Sequence, residues 1–177
     1  MTRMTMRTVP VAIAFIACGL LACSDQTTDP TDPGTSPIGR VTGHTTCKAF
    51  GTAAGRYAVP REKDCIEYAY DGHSVLQLKH VNAGFNCCPD SLIAAFQIDS
   101  GEIIIDEADV LSDGCHCLCL YDLEYQISNL PLGQYHVRVN QPYLRPGADV
   151  LEFTVDLQLA PSGTYCVTRD FYPWGGE

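Results

Sequence analysis

Apolar and polar residues alternate with a period of two along much of the chain from Arg56 onward. From Cys119 to Ile127 the residues Cys119, Tyr121, Leu123, Tyr125 and Ile127 fall on one side, and Leu120, Asp122, Glu124, Gln126 and Ser128 on the other. Successive side chains of a strand point to opposite faces, so this pattern predicts one face on a core and one in water. Tyr135, Val137 and Val139 alternate likewise with Gln134, His136 and Arg138, and Leu151, Phe153, Val155 and Leu157 with Glu152, Thr154 and Asp156. Few windows fit a helical period. Strands are predicted over Cys65 to Tyr70, Ser74 to Val81, Leu92 to Asp99, Glu102 to Glu107, Cys119 to Ser128, Gln134 to Asn140, Val150 to Leu159 and Thr164 to Arg169. Asp71-Gly72 and Ser100-Gly101 read as hairpin connections. Ser91 to Phe96 competes as a helix, but it is short and flanked by Pro89 and Gly101. The expectation is an all-β fold, an antiparallel β-sandwich of about eight strands.

The N-terminus follows other rules. Met1 to Arg7 carries two arginines and no acid, and the uncharged apolar run from Val9 to Ala22 spans 14 residues. That is short of the roughly 18 needed to cross a bilayer as a helix and fits a signal peptide, residues 1–22. The run ends in Leu20-Leu21-Ala22-Cys23, which resembles the lipobox of bacterial lipoproteins. The resemblance implies cleavage before Cys23 and acylation of Cys23, with outer-membrane lipid as the partner, because two or three acyl chains anchor stably where one does not. Ser24 follows where the commonest inner-membrane retention signal has Asp, which points to the outer membrane of the envelope. Residues 24–37, SDQTTDPTDPGTSP, have no large apolar side chain, so 23–37 reads as a lipidated cysteine and tether reaching about 20 Å. The folded domain is then 38–177. Its first part, Ile38 to about Ala54, is rich in Gly and Thr and reads as transitional, pinned to the body by Cys47.

Leu130-Pro131-Leu132-Gly133-Gln134-Tyr135-His136-Val137 resembles the turn that leads into a strand in immunoglobulin-like and transthyretin-like sandwich modules. The resemblance implies that Tyr135 packs inward and says nothing of function.

The chain has 177 residues, 21 acidic against 11 basic. It offers no basic footprint for phosphates, so nucleic acid is excluded as an expected partner. Cleavage at Cys23 would remove Arg3 and Arg7 and leave the mature chain more acidic still. Between His80 and Val137 no Lys or Arg occurs, while Asp90, Asp99, Glu102, Asp106, Glu107, Asp109, Asp113, Asp122 and Glu124 do. Asp106, Glu107, Asp109 and Asp113 form a candidate Ca²⁺ site, although their order does not match an EF-hand loop and an acidic face can simply be solvated.

Ten cysteines argue for an oxidising compartment. Without Cys18 in the signal and Cys23 at the lipobox, an even set remains: Cys47, Cys65, Cys87, Cys88, Cys115, Cys117, Cys119 and Cys166. Eight cysteines admit 105 connectivities. Cys115, Cys117 and Cys119 would share one face of an extended chain, spaced too widely to bridge one another. The expected pattern joins Cys87 and Cys88 to two of these three, leaving the third with Cys47, Cys65 and Cys166. The alternative is a Cu or Zn site built from Cys87, Cys88, Cys115, His116, Cys117 and Cys119, but its spacing departs from zinc modules. Cys87-Cys88 followed by the Cys-x-Cys-x-Cys run and the Leu-Pro-x-Gly-x-Tyr turn resembles small cysteine-rich bacterial lipoproteins without assigned activity. The likeness spans about Asn82 to Val139 and implies a shared fold and location in the cell envelope.

No nucleophile-elbow, zincin, phosphate-loop or dinucleotide motif occurs, and His44, His73, His80, His116 and His136 show no ligand spacing. No cofactor is expected and no catalytic residue is assigned. Tyr165, Phe171, Tyr172 and Trp174 either form an aromatic patch for glycan or peptide or close off a core edge. The functional expectation is a lipid-anchored binding, adhesion or structural module with a protein or glycan partner, the alternative a lipoprotein handling copper or zinc.

Overall fold

A computed structural model describes residues 36–50 and 57–175. The predicted signal peptide, Cys23 and the tether as far as residue 35 lie outside the described residues. Among those described there are nine strands and no helix: β1 (Ile38–His44), β2 (Lys63–Tyr70), β3 (Leu76–Asn86), β4 (Ser91–Asp99), β5 (Glu102–Val110), β6 (Leu118–Ser128), β7 (Gln134–Asn140), β8 (Leu151–Asp156) and β9 (Ser162–Thr168). They form a five-stranded sheet, β1-β6-β3-β2-β9, and a four-stranded sheet, β4-β5-β7-β8. The sandwich is all-β as the alternation predicts, with one departure from a purely antiparallel arrangement. β5 and β7 run parallel, Glu102 opposite His136 to Asp106 opposite Asn140. Parallel neighbours need a crossover, and here β6 supplies it by crossing in the other sheet.

The core lies between the sheets and is built from the alternating positions. Ile66 and Tyr70 of β2, Leu76 and Leu78 of β3, and Leu123, Tyr125 and Ile127 of β6 meet Ile103 and Ile105 of β5 and Val137 and Val139 of β7. Tyr135 is buried at the start of β7, and its hydroxyl donates to the Pro131 carbonyl at 2.8 Å, closing the turn before the strand.

Three readings of the sequence need correction. The segment taken as transitional contains β1, which pairs with β6 from Ile38 opposite Ser128 to His44 opposite Leu123. Glycine serves it sterically: a Cβ on Gly39 would stand 2.2 Å from Cγ of Phe96 in β4. The predicted strand ending at Val81 runs on to Asn86, because a bulge at Asn82 shifts the register with β6 and moves the inward positions from Leu76, Leu78 and His80 to Ala83 and Phe85. The face of β6 expected to be wet is dry in its first half. Leu120 is buried against Phe171 and Trp174, and Asp122 is buried beside Lys48.

The contact of β1 with β4 yields a paired prediction. Gly39→Ala should lower stability by about 1–3 kcal/mol through overpacking on Phe96. Gly43→Ala, whose Cβ would find only the flexible Glu124 carboxylate at 3.5 Å, should stay within about 0.5 kcal/mol of the parent. Urea denaturation midpoints measure both, and equal effects would remove the steric account of Gly39.

Candidate functional site

Besides Asn86, which bonds to the backbone of Cys88 and Cys115, the buried polar side chains among the described residues fall into two groups, one inside the core and one on the outer face of the five-stranded sheet. The inner group centres on His80, an inward position of β3. Its imidazole lies between two carboxylates, Nδ1 2.5 Å from Glu107 Oε1 on β5 and Nε2 2.6 Å from Asp64 Oδ1 on β2, and all three side chains are 0% exposed. Tyr125 of β6 donates its hydroxyl to the same Glu107 oxygen. Arg169, just past β9 and 2% exposed, donates to Asp64 Oδ2 from Nε at 3.0 Å and Nη2 at 2.8 Å. Gln141 donates to that oxygen at 2.8 Å. Glu107 Oε2 and Gln141 Oε1 are buried with no hydrogen-bond partner among the described residues.

The protonation states follow from this geometry. Burial alone would drive the proton off His80, but the charges of Glu107 and Asp64 prevail and push its pKa up to about 10. Burial would raise the Asp64 carboxyl, yet His80 and then Arg169 hold it below its ordinary range. Burial and the neighbouring Glu107 carboxylate lift the Tyr125 phenol well above its ordinary value. The group thus sets two acidic side chains, Asp64 and Glu107, against two basic ones, His80 and Arg169. Sealed from solvent, it offers no face to a reactant, and its role is to join the sheets through a charge-balanced contact.

The outer group centres on Asn82, the bulge residue, whose φ of +66° lies in the left-handed region where Asn is among the few side chains tolerated. Each of its polar groups is engaged. The backbone N–H donates to Asp122 Oδ1 at 3.1 Å, and the backbone carbonyl accepts from Trp174 Nε1 at 2.6 Å. Its amide nitrogen donates to the carbonyls of Pro60 at 2.9 Å and Lys63 at 2.6 Å. Its amide oxygen accepts from Lys48 Nζ at 2.7 Å. Lys48 also pairs with Asp122 Oδ1, and Lys79 stands 3.6 Å from Oδ2.

Every cysteine of the folded domain is bridged. Cys87 pairs with Cys117 and Cys88 with Cys115, while Cys119 takes Cys47 and Cys65 takes Cys166. Cys115 and Cys117 belong to the loop before β6, and only Cys119 lies in the strand.

The acidic stretch is less bare in space than in sequence. Glu107 faces His80 inside the core, and Asp122 faces Lys48 and Lys79, bases from outside the stretch. Asp106 accepts from Gln97 and Asn140, and Asp109 accepts from the Asn86 backbone and the Tyr143 hydroxyl. Asp113 sits in the exposed loop after β5. Asp106, Glu107, Asp109 and Asp113 are therefore not brought together, and among the described residues no cluster of His, Cys, Asp or Glu has the form of a metal site. The C-terminal aromatics form no common patch: Phe171 and Trp174 are buried, Tyr172 bonds with the backbone of Leu118, and Tyr165 stacks on Phe153. Compared with known protein families, curated proteins and solved structures, the chain matches none.

Sequence reasoning named neither His80 nor Asn82 as a site. The one available signal was the end of the alternation at Val81, next to both.

The inner group predicts a particular pH response. The His80 contribution is whole below its ordinary 6.5 and lost as pH rises through about 10. The Asp64 contribution is whole above its ordinary 3.8 and lost as pH falls through its lowered folded value. His80→Leu, which leaves the carboxylates without the charge between them, should cost about 3–5 kcal/mol at neutral pH. The variant should gain stability on acidification from about pH 7 to 5, as an orphaned carboxyl takes up a proton. Urea midpoints across pH test this, and a variant that tracks the parent at every pH would remove the charge account.

Proposed function

We propose that the chain is a lipid-anchored, disulfide-stapled module of the bacterial cell envelope, held to the outer membrane through acylated Cys23, and that it works by binding, adhesion or scaffolding without catalysis. The observation that carries this reading is the closed accounting of the cysteines. Four bridges take all eight thiols of the folded domain. None is left to pair with Cys23, which stands at the end of Leu20-Leu21-Ala22-Cys23 in the position a lipid would modify. The Pro- and Thr-rich segment that follows suits a spacer between bilayer and domain. Four bridges also suit an exported protein, since such bonds persist only where the surroundings are oxidising. A protein or glycan is the partner class in keeping with a module of this kind.

The competing reading, copper or zinc on the clustered cysteines, requires thiolates. The bridges hold the same five sulfurs, at Cys87, Cys88, Cys115, Cys117 and Cys119, as disulfides.

Palmitate label should enter the native protein, and Cys23→Ser should abolish both the label and membrane retention. A variant that stays labelled and membrane-bound would overturn the anchor. Unreduced native protein should show no alkylatable thiol at positions 47, 65, 87, 88, 115, 117, 119 and 166, and reduction should cost about 2–5 kcal/mol for each bridge lost. Alkylatable thiols at the five clustered positions, protected by stoichiometric copper or zinc, would favour the metal reading instead.

A further inference from the structure

The outer group places an amine, a carboxamide and a carboxylate together out of solvent. Lys48 Nζ lies 2.7 Å from the amide oxygen of Asn82 and pairs directly with Asp122, and the side chain of Lys48 is only 3% exposed. The amide can face only one way. Its nitrogen points at two carbonyl oxygens, those of Pro60 and Lys63, so its oxygen must face the amine. The bulge, the Trp174 indole and the Asp122 carboxylate fix the backbone from which that amide projects. This is more positioning than a surface lysine and asparagine need for a hydrogen bond, and it holds an amine against the amide group that could acylate it.

We propose that Lys48 and Asn82 condense into an intramolecular isopeptide bond, Nζ to Cγ, with Asp122 as the proton carrier and ammonia as the leaving group. Asp122 first takes a proton from the Lys48 ammonium, which leaves a neutral amine beside a neutral acid. The nitrogen lone pair attacks Asn82 Cγ, and the C–N bond to Lys48 forms as the carbonyl π electrons move to the oxygen. The proton held by Asp122 passes to the amide nitrogen, and Asp122 takes up the proton that the new nitrogen centre sheds. The carbonyl re-forms, the bond from Cγ to the amide nitrogen breaks, and ammonia departs. It leaves as ammonium with the last proton from Asp122, which ends as the carboxylate it was at the start. No oxidant or co-reactant enters. Burial lowers the Lys48 pKa against the opposing pull of Asp122, which favours the neutral amine the first step requires. A cleft of about 140 Å³ lined by Lys48, Tyr57, Val59, Lys79 and Asp122 gives ammonia a way out.

The bond would sit one residue from the Cys47–Cys119 bridge. The connection between β1 and β2 would then be fastened to β6 by a reducible link and to β3 by one that reduction cannot open, closing a loop of sequence separation 34.

Mass spectrometry of the native full-length protein, reduced and alkylated, tests this. The expected result is a chain lighter by one ammonia than its sequence and modifications require, with one branched peptide joining Lys48 to Asn82 after digestion. Lys48→Arg keeps the positive charge but should restore the full mass and remove the branched peptide. A wild-type chain at full mass would overturn the proposal, as would an ammonia deficit that persists in Lys48→Arg, which would mark a cyclised asparagine instead. Asp122→Asn, when folded by the criterion that all eight thiols of the domain are bridged, should remain at full mass, and loss of ammonia in it would overturn the proton role of Asp122. Should Asp122→Asn not fold, the wild type and Lys48→Arg decide the bond without it.

Discussion

Two acidic and two basic side chains sealed inside a sandwich must satisfy one another, and that requirement fixes how this fold closes. Asp64 and His80 come from the five-stranded sheet and Glu107 from the four-stranded one, so the imidazolium between the carboxylates is a contact from sheet to sheet. Arg169 completes the balance from beyond β9. A buried carboxylate without a counter-charge costs several kcal/mol, so a packing that displaced any one of the four would strand the others. Such a network adds little net stability over an apolar core of equal volume.

Arg169 has a further consequence. Drawing it into the core sets the course of the chain beyond it, so that Phe171 and Trp174 fold back over the outer face of the five-stranded sheet. Gly84 admits the indole, since a Cβ there would stand 2.7 Å from its ring. The indole N–H then reaches the carbonyl of Asn82. Phe171, Trp174 and Leu120 make a second, smaller core outside the sandwich, and beside it Lys48 and Asp122 lose their water. The inner and outer groups are thus linked along β3, where His80 stands two residues before Asn82, the residue of the bulge.

Much of the strand order was legible because alternation is a local signal. Its failures are equally physical. β1 was unreadable because Gly39 faces the core side of that strand, where packing against Phe96 calls for the absence of a side chain, and with Gly43 further on the hydrophobic pattern disappears. β3 seemed to stop at Val81 because a bulge inverts the phase of the pattern, which a period-two reading takes for an end. The partners of the buried charges are separated by 16 to 105 residues, and nothing in the sequence pairs His80 with Asp64 and Glu107 more readily than with other carboxylates. For the same reason a linear count of charge misjudged Glu107 and Asp122, whose counter-ions come from outside the acidic stretch or from its border.

A domain with this much alternating apolar sequence can bury a core unaided, so the covalent links answer a different need. Three of the four bridges gather where β3 ends and β6 begins: Cys87 and Cys88, just past β3, join the connection 111–117, and Cys47, in the connection after β1, joins Cys119 of β6. Cys47–Cys119 ties the residue next to Lys48 to β6, and the other two tie the end of β3 to the loop that leads into β6. Cys65–Cys166, by contrast, fastens β9 to β2 and with it the segment that carries Arg169 and Trp174. The bridges and the charge network thus act on the same segments: Cys47 adjoins Lys48, and Cys166 precedes Arg169 by three residues.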